Sequence, residues 1–356
     1  MTTELDALRS AVRDAAADLG GHELCRGLDP AGPGWDATAW SVLGEQIGIA
    51  ALALPDACEG IGGLAELVVV GEELGRALTP VPFLSTVLAG QVLVNAGGAD
   101  DVVSDIAEGA AAAFAGLDRT GWWSSEALHF SAVETATGWT LTGHAPAILG
   151  VAGARWIATV ADTPDGPDVF VLDADTDGVG VRPLTTLDLS RAQAALTLSG
   201  TPARRLTVGG VAAVAIHPAL DVAGVVLAAE QLGGAQASLD HTVGYAKERR
   251  QFGRAIGSFQ AVKHTLADLL VLVESSRSAV TRAVDAVDLT EASAVAQAWC
   301  SDAYRTVSAE AVQLHGGIGF TWEHHCHLYF RRARADAQLL GGAAFHRERL
   351  ATALGW

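Results

Sequence analysis

The order of hydrophobic periods along this chain constrains its fold more than any other feature of the sequence. Apolar residues recur at helical spacing through the first third, for example at Leu5, Leu8 and Val12, and helical spacing returns in long blocks from Pro218 onward. Between these regions, short segments alternate apolar and polar residues and are separated by Gly, Pro and Asp clusters. The pattern predicts an α+β protein in which helices flank a small antiparallel β-barrel or sandwich.

Helix boundaries in the first third are marked by ordinary start and stop residues. Thr38 precedes one apolar stripe and is a candidate N-cap. Residues 64–78 form an amphipathic helix that ends before Pro80, and a further helix is expected over 82–94. The carboxylates expected on the outward face of the 64–78 helix are Glu66, Glu72 and Glu73.

The remaining segments complete a helix, strand, helix order. The segments with strand periodicity are 139–143, 155–160, 168–172, 178–182 and 194–198. Long helical blocks follow at 218–246, 258–285 and 290–315, with a shorter one near the C-terminus, and such lengths are typical of a helix bundle. We expect an N-terminal α-helical domain over 1–112, a middle β domain over 113–210 and a C-terminal four-helix bundle over 211–356.

Composition excludes several classes of protein. Half of the residues are hydrophobic, which indicates that part of the surface is covered by other subunits. The most apolar stretch, 208–229, contains His217, Pro218 and Asp221, so we do not expect a membrane span. The formal net charge of −18 argues against a nucleic-acid partner, because a duplex-binding surface needs clustered cations.

The cysteines bear on the cellular compartment. The chain has four, Cys25, Cys58, Cys300 and Cys326, and their wide spacing matches no disulfide framework. The first residues are polar and acidic, without an apolar signal core. Both observations favour the reducing cytoplasm.

Two short polar or glycine-rich segments interrupt the C-terminal helices. They are residues 245–253 (YAKERRQFG) and 313–320 (QLHGGIGF). Together with 43–55, 59–63, 72–76, 258–262 and 266–268, in that order along the chain, they resemble the acyl-CoA dehydrogenase family. The resemblance covers nearly the whole chain and implies the fold of that family, with FAD as cofactor and an acyl-CoA thioester as substrate.

The resemblance also implies which residues contact the flavin. Arg249 suits a pyrophosphate, since its guanidinium makes charge-assisted and forked hydrogen bonds. Glycine backbone approaches a phosphate or ribose closely because no Cβ intervenes. The expected cofactor-binding residues are Arg249, Phe252, Phe259, Gln260, Gln313, Gly316 and Gly317. In the family these groups reach across to the flavin of a neighbouring subunit. Taken alone, Arg249 is also consistent with pairing to Glu248, and the glycines with an ordinary helix C-cap.

The chain departs from the family where a subunit holds its own flavin. Members usually carry an acidic-Pro-x-x-Gly-Ser element at the start of the strand domain, and residues 113–118 (AFAGLD) lack it. A second contact usually ends in Thr or Ser, whereas residues 147–151 (AILGV) offer no hydroxyl group. The chain keeps what it would donate to a partner and lacks what it would need for itself.

The catalytic base is unassigned. The family removes the α proton of the thioester with a glutamate, while a hydride leaves the β carbon for the flavin. Gly341 stands at the commonest position of that glutamate, and Ala223 stands at the alternative position. Asp221 and Glu230 are the nearest carboxylates, and each is also consistent with an ordinary surface charge on a helix.

We expect no metal site. Residues 323–327 (EHHCH) contain typical zinc ligands, but consecutive residues of a helix point in different directions and cannot converge on one ion.

These features predict one subunit of a flavin-dependent acyl-CoA dehydrogenase that acts as an α2β2 complex. A homologous partner chain would carry the glutamate and hold the flavin, and an electron-transfer flavoprotein would accept the electrons. Split enzymes of this kind act on steroid side-chain CoA thioesters, which are the expected substrate class. Three alternatives stay open: a homo-oligomeric dehydrogenase with a non-standard base, a flavin-dependent monooxygenase on the same scaffold, and a non-catalytic scaffold subunit.

Overall fold

The computed structural model describes residues 2–29, 31–54 and 62–356 of the chain. Cys58 and most of the 59–63 motif therefore lie outside the described residues. The chain forms two compact units. Residues 1–26, 68–79 and 224–356 make up the helical unit, and residues 27–67 and 80–223 make up the sheet unit.

The helical unit is built from long helices. Its elements are α1 (Thr2–Asp18), α2 (His22–Gly27), the greater part of α4 (Leu64–Ala77) and of α7 (Ala212–Glu248), α8 (Gln260–Val284), α9 (Leu289–His315), α10 (Cys326–Asp336) and α11 (Gly342–Ala353). The central helix is α9, which packs against α8, α10 and α11 and buries more than half of its residues. The long C-terminal helices agree with the predicted blocks, although α7 begins before Pro218.

The predicted outward carboxylates of α4 are partly wrong. Glu72 and Glu73 are 8% and 2% exposed, whereas Glu66 is half-buried. Arginines from two other helices compensate their charge, because a buried carboxylate needs cations in place of water. Arg9 contacts Glu72 at 2.8 Å and Glu73 at 2.7 Å, and Arg277 on α8 contacts Glu72 at 2.7 Å.

Helix α7 meets the length and composition of a membrane span. However, 72% of its most apolar stretch is buried inside the protein, as expected for a core helix.

The sheet unit begins with short helical elements. These are α3 (Ala37–Trp40), which continues as a π-helical segment (Ser41–Gln46), α5 (Phe83–Ala96) and α6 (Asp100–Ala107). The N-cap of α3 is Asp36, whose side chain accepts the Ala39 amide at 2.8 Å. Thr38 lies inside the helix, so its prediction as the cap is wrong; the aspartate two residues earlier forms this hydrogen bond instead.

Seven strands form the main sheet. They are β1 (Ala112–Ala115), β2 (Phe130–Thr135), β3 (Gly138–Leu149), β4 (Trp156–Thr163), β5 (Gly166–Asp173), β6 (Val179–Pro183) and β7 (Gln193–Arg205). The ladder closes in the order β4, β2, β3, β7, β5 and back to β4, so these strands form a small barrel. Strand β1 pairs with β4, and β6 pairs with β7.

The barrel contains both parallel and antiparallel strand pairs, whereas the sequence predicted antiparallel pairs alone. Strands β1 and β2 each run parallel to β4, whereas the other pairs are antiparallel. Inward side chains such as Leu141, Phe170 and Leu196 fill its interior. The fold class predicted from the sequence is confirmed: helices flank a small β-barrel, and a helical region forms the C-terminus.

Candidate functional site

The first predicted site segment follows the end of α7. Here β8 (Arg250–Gln251) and β9 (Arg254–Ala255) form a two-stranded hairpin. The two residues of its turn, Phe252 and Gly253, have φ values of 51° and 78°. Positive φ at both central positions is the geometry of tight hairpin turns. The turn leaves the Phe252 ring 91% exposed.

Arg249 occupies the base of this hairpin, where its backbone is held firmly. Its amide donates to Tyr245 O at 2.8 Å, and its carbonyl accepts the Ile256 amide at 2.8 Å. Its side chain is exposed and forms no ion pair with any residue that the structure describes, Glu248 included. The guanidinium is therefore available to an external anion.

Phe259 and Gln260 lie where the hairpin leads into α8. The Phe259 ring packs against the hairpin, with the Arg254 guanidinium 4.0 Å above it and the Phe252 ring edge-on at 6.2 Å. Gln260 is exposed and contacts His264 through Nε2 at 3.2 Å. The hairpin thus packs on Phe259 at the start of α8, and Arg249, Phe252 and Gln260 are exposed.

The second predicted segment lies at the C-terminal end of α9. Gln313 is exposed, and Gly316 caps the helix with a φ of 65°. The Gly316 amide donates to Val312 O and Gln313 O, so the alternative of an ordinary C-cap describes part of its role. A Cβ on Gly316 or Gly317 would meet no atom within 4 Å, so the backbone here is open on one side.

An aromatic stack joins the two segments. The ring of Tyr245 on α7 lies 4.4 Å from the ring of His315 at the end of α9, with an interplanar angle of 25°. Tyr245 Oη also donates to His315 O at 3.4 Å. The structure thereby brings the segments carrying Arg249 and Gly316 to the same end of the helical unit.

Large apolar side chains are exposed beside these residues. Four of them lie on the two segments and the turn that follows: Phe252 (91%), Ile318 (38%), Phe320 (75%) and Trp322 (54%). Exposed apolar clusters of this kind mark surfaces that another molecule covers. We call the hairpin, the exposed residues Gln313, Gly316, Gly317 and Ile318, and these side chains the donor surface.

The segments expected to hold the chain's own flavin have a different character. All four residues of β1 are buried, and residues 113–118 supply no hydroxyl group. Gly150, at the end of β3, has a φ of 71°, and a Cβ there would lie 2.3 Å from Ser85 Oγ. The backbone at this position is therefore packed against α5, in contrast to the open backbone at Gly316.

Packing constrains the two expected positions of the catalytic base and the carboxylates nearest to them. Gly341 has a φ of 94°, and a Cβ on it would lie 2.4 Å from Phe345 Cδ1. A glutamate there would be strained and obstructed. Ala223 is fully buried, and Asp221 is 4% exposed. Glu230 is buried with Arg332, which binds it in an ion pair, so its carboxylate is committed to a cation.

The histidine-rich segment does not have the helical geometry that the sequence suggested. Residues 321–325 form a turn, and α10 begins only at Cys326. His324 therefore does not lie on a helix, and the divergence expected of consecutive helical side chains does not hold for it. That side chain lies near His315 and Cys326, which sequence reasoning did not connect because the partners are in different elements.

Comparisons with known proteins identify the family of the chain. Residues 212–355 match the family model described as acyl-CoA dehydrogenase, C-terminal domain. Acyl-CoA dehydrogenase IpdE2 of Mycolicibacterium smegmatis is 36% identical over 342 residues, which cover 96% of each chain.

Two solved structures extend the similarity to the whole fold. The Tcur3481-Tcur3483 steroid ACAD G363A variant has a TM-score of 0.87 and 32% identity, and the match covers 99% of this chain and 98% of that one. The ChsE4-ChsE5 complex from Mycobacterium tuberculosis has a TM-score of 0.84 and 29% identity, with 99% and 97% covered. The chain therefore belongs to the acyl-CoA dehydrogenase family of FAD-dependent oxidoreductases.

Proposed function

We propose that this chain is one subunit of a heteromeric acyl-CoA dehydrogenase, with α2β2 composition, that completes a flavin site on a homologous partner. Arg249, Gln313 and the backbone of Gly316 and Gly317 would contact FAD from the donor surface. Phe252, Phe259 and Gln260 would line the same contact. The partner would hold the remainder of the flavin and supply the catalytic glutamate.

One contrast within the chain carries this proposal. The donor surface has an exposed arginine without an ion pair in the described residues and glycine backbone open on one side. These groups fit a pyrophosphate or ribose. In the sheet unit, Gly150 is packed against Ser85, and the neighbouring segments lack the expected hydroxyl groups. The residues present fit a donated flavin contact better than an own-subunit flavin clamp.

The lack of a free carboxylate at the expected base positions supports the same assignment of roles to the two subunits. The flavin, when bound, supplies the acceptor for the hydride that leaves the substrate. Removal of the α proton needs a carboxylate free to accept it. Gly341 has no room for one, and Glu230 is paired with Arg332. We therefore assign proton abstraction to the partner chain and flavin positioning to this one.

The substrate class follows from the relatives. The Tcur3481-Tcur3483 structure is described as a steroid ACAD, and ChsE4-ChsE5 is a complex of two different chains. We propose a steroid side-chain CoA thioester as substrate, an electron-transfer flavoprotein as electron acceptor and the cytoplasm as location. The formal charge of −18 is consistent with the absence of a nucleic-acid partner.

Co-expression with a homologous dehydrogenase chain from the same genome tests the proposal. We expect this chain alone to be colourless, and the complex to be yellow and to reduce ferrocenium with an acyl-CoA substrate. Arg249→Gln in the complex should weaken FAD retention by roughly 10- to 100-fold, since a hydrogen bond to a charged group contributes about 1.5–3 kcal/mol. Arg282→Gln is the matched control, because Arg282 lies on α8 and pairs with Glu291.

Each alternative has its own outcome. A yellow, active assembly formed by this chain alone would reject the shared site and support a homo-oligomer. In that case Asp221→Ala and Glu230→Ala would identify a base. Oxygen consumption without an added acceptor would instead indicate a monooxygenase. If Arg249→Gln leaves the flavin occupancy of the complex unchanged, the chain is a scaffold and not a flavin donor.

A further inference from the structure

Three metal-ligating side chains meet beside the donor surface. His315 is the last residue of α9, His324 lies in the following turn, and Cys326 is the first residue of α10. One candidate ligand atom from each lies within 4.8 Å of the other two. His315 and Cys326 are 4% exposed, and His324 is half-buried. The cluster is therefore largely shielded from water.

The hydrogen bonds of this cluster leave suitable lone pairs. His315 Nδ1 donates to Ala311 O at 2.7 Å, so the lone pair of that ring is on Nε2. This Nε2 atom is buried and has no hydrogen-bond partner among the residues that the structure describes. A ligand histidine commonly donates its other ring N–H to a carbonyl in this way.

The remaining two groups are Cys326 and His324. Cys326 Sγ lies 3.7 Å from His315 Nδ1, which already carries the proton shared with Ala311, so the thiol finds no acceptor there. His324 Nδ1 accepts the Cys326 amide at 3.1 Å and thus presents a lone pair. Binding an ion would exchange this hydrogen bond for a coordinate bond.

We propose that His315, His324 and Cys326 bind a Zn²⁺ ion with three protein ligands and a water molecule in the fourth position. Two imidazoles and one thiolate are a zinc ligand set, and none of the three groups is a carboxylate of the kind that Mg²⁺ and Ca²⁺ prefer. The ion would displace the Cys326 thiol proton, which leaves to solvent, and no oxidation or reduction occurs. Binding of the ion does not depend on the proposed function, whereas its role at the flavin contact rests on it.

The site has a structural consequence for the donor surface. His315 immediately precedes Gly316, so an ion that joins His315 to His324 and Cys326 fixes the end of α9 against the start of α10. The ion would thereby hold the open glycine backbone in one position. Its role would be structural support of the flavin contact and not chemistry on the substrate.

Cobalt and zinc titrations of the full-length protein test the site, with its partner chain where the two purify together. After chelator treatment, we expect uptake of one Co²⁺ per chain with a thiolate-to-cobalt charge-transfer band. Cys326→Ser should abolish that band. His324→Asn should keep the band and weaken Zn²⁺ binding more than about tenfold, the scale seen even for loss of an outer-shell partner. His264→Asn, an exposed histidine on α8, should bind like the wild type.

Absence of saturable uptake at micromolar metal would reject the zinc site, as would equal affinity in wild type, Cys326→Ser and His324→Asn. Circular dichroism of each variant establishes folding. If Cys326→Ser does not fold, His324→Asn decides alone, because its side chain lies in a partly exposed turn.

Discussion

Glu73 is a buried carboxylate whose charge is balanced by two arginines of α1. Its side chain is 1% exposed and accepts from Arg9 at 2.7 Å and from Arg13 at 2.7 Å and 2.8 Å. Burial raises the pKa of Glu73, but the hydrogen bonds from Arg13 and Arg9 outweigh burial and hold the pKa below its ordinary value. The ionised form is therefore the one that stabilises the fold.

Glu73→Gln should lower the free energy of unfolding by about 1–3 kcal/mol at neutral pH, since the three charge-assisted hydrogen bonds from Arg9 and Arg13 lose their carboxylate. A lowered folded-state pKa stabilises the protein above the unfolded value of about 4.3, and this contribution disappears as pH falls through the folded pKa. The difference in free energy of unfolding between wild type and Glu73→Gln should thus become smaller in acid. Urea denaturation at neutral and acidic pH measures this difference. Glu134→Gln, at an exposed position of β2, should leave the free energy of unfolding unchanged at both pH values, and a difference for Glu73→Gln that stays constant with pH would contradict the assignment.

Gly341 has no room for the glutamate that the family usually carries at this position. Restoring the family's glutamate by Gly341→Glu should not restore a base, because the residue has a φ of 94° and its Cβ would lie 2.4 Å from Phe345 Cδ1. Left-handed strain and overpacking together should destabilise the chain by about 2–4 kcal/mol. Thermal unfolding and acyl-CoA dehydrogenation measure both effects. A stable Gly341→Glu chain that gained activity alone would contradict the geometry.

Residue chemistry was predictable from the sequence only where it depends on local pattern. Arg249 and Gly316 stand in recognisable segments, and the structure leaves both exposed. The burial of Glu72 and Glu73 depends on Arg9, Arg13 and Arg277, which lie far away in sequence and on other helices. The helical period of 3.6 residues identifies the faces of a helix but does not identify the face that another helix covers. The prediction that these glutamates point outward was therefore wrong.

At the level of elements, α4 and α7 approach each other through glycines. A Cβ on Gly75 would lie 2.0 Å from Glu230 O, and a Cβ on Gly233 would lie 1.9 Å from Glu72 O. Each glycine therefore faces the backbone of the other helix. Gly244, farther along α7, has no atom within 4 Å of its Cβ position. Helix α7 thus contains one glycine, Gly233, that the close approach of α4 requires, and another, Gly244, that no packing contact requires.

Gly233→Ala should destabilise the protein by about 1–3 kcal/mol, because the added methyl group forces the two backbones apart. Gly244→Ala should stabilise it by about 0.5–1 kcal/mol, since alanine restricts the unfolded chain and favours the helix. Chemical denaturation of the two variants side by side is the measurement. Equal shifts of the same sign would mean that the helices are not in contact at Gly233.

Most elements were predicted correctly, and the exceptions have physical causes. Strand β1 was missed because all four of its residues are buried, so it shows an apolar run without alternation. Strand β2 was missed because only Phe130 and Ala132 face inward, which is too short a pattern to stand out. Its parallel pairing with β4 is a long-range property that no local signal encodes.

At the scale of the whole molecule, the donor surface is apolar although the chain is strongly acidic. Phe252 and Phe320, on the segments that carry the exposed Arg249 and Gly316, are 91% and 75% exposed, while the formal net charge is −18. Such a surface suits a partner that buries aromatic side chains and adds an anionic cofactor at the arginine. The sequence indicated subunit contacts through its high apolar content, but only the structure locates these exposed side chains.

Phe252→Ser should weaken association with the partner chain about tenfold or more, as is typical of an aromatic residue buried at the centre of an interface. The monomer should remain stable, because the ring contacts only Phe259 among the ring systems described and is otherwise exposed. Val287→Ser is the matched control, since Val287 is a fully exposed apolar residue in the turn between α8 and α9. Sedimentation velocity gives the affinities, and hydrogen exchange should show residues 249–256 and 316–322 protected in the complex. Equal affinities for the two variants, or protection confined to other segments, would place the interface elsewhere and remove the donor surface from the shared flavin site.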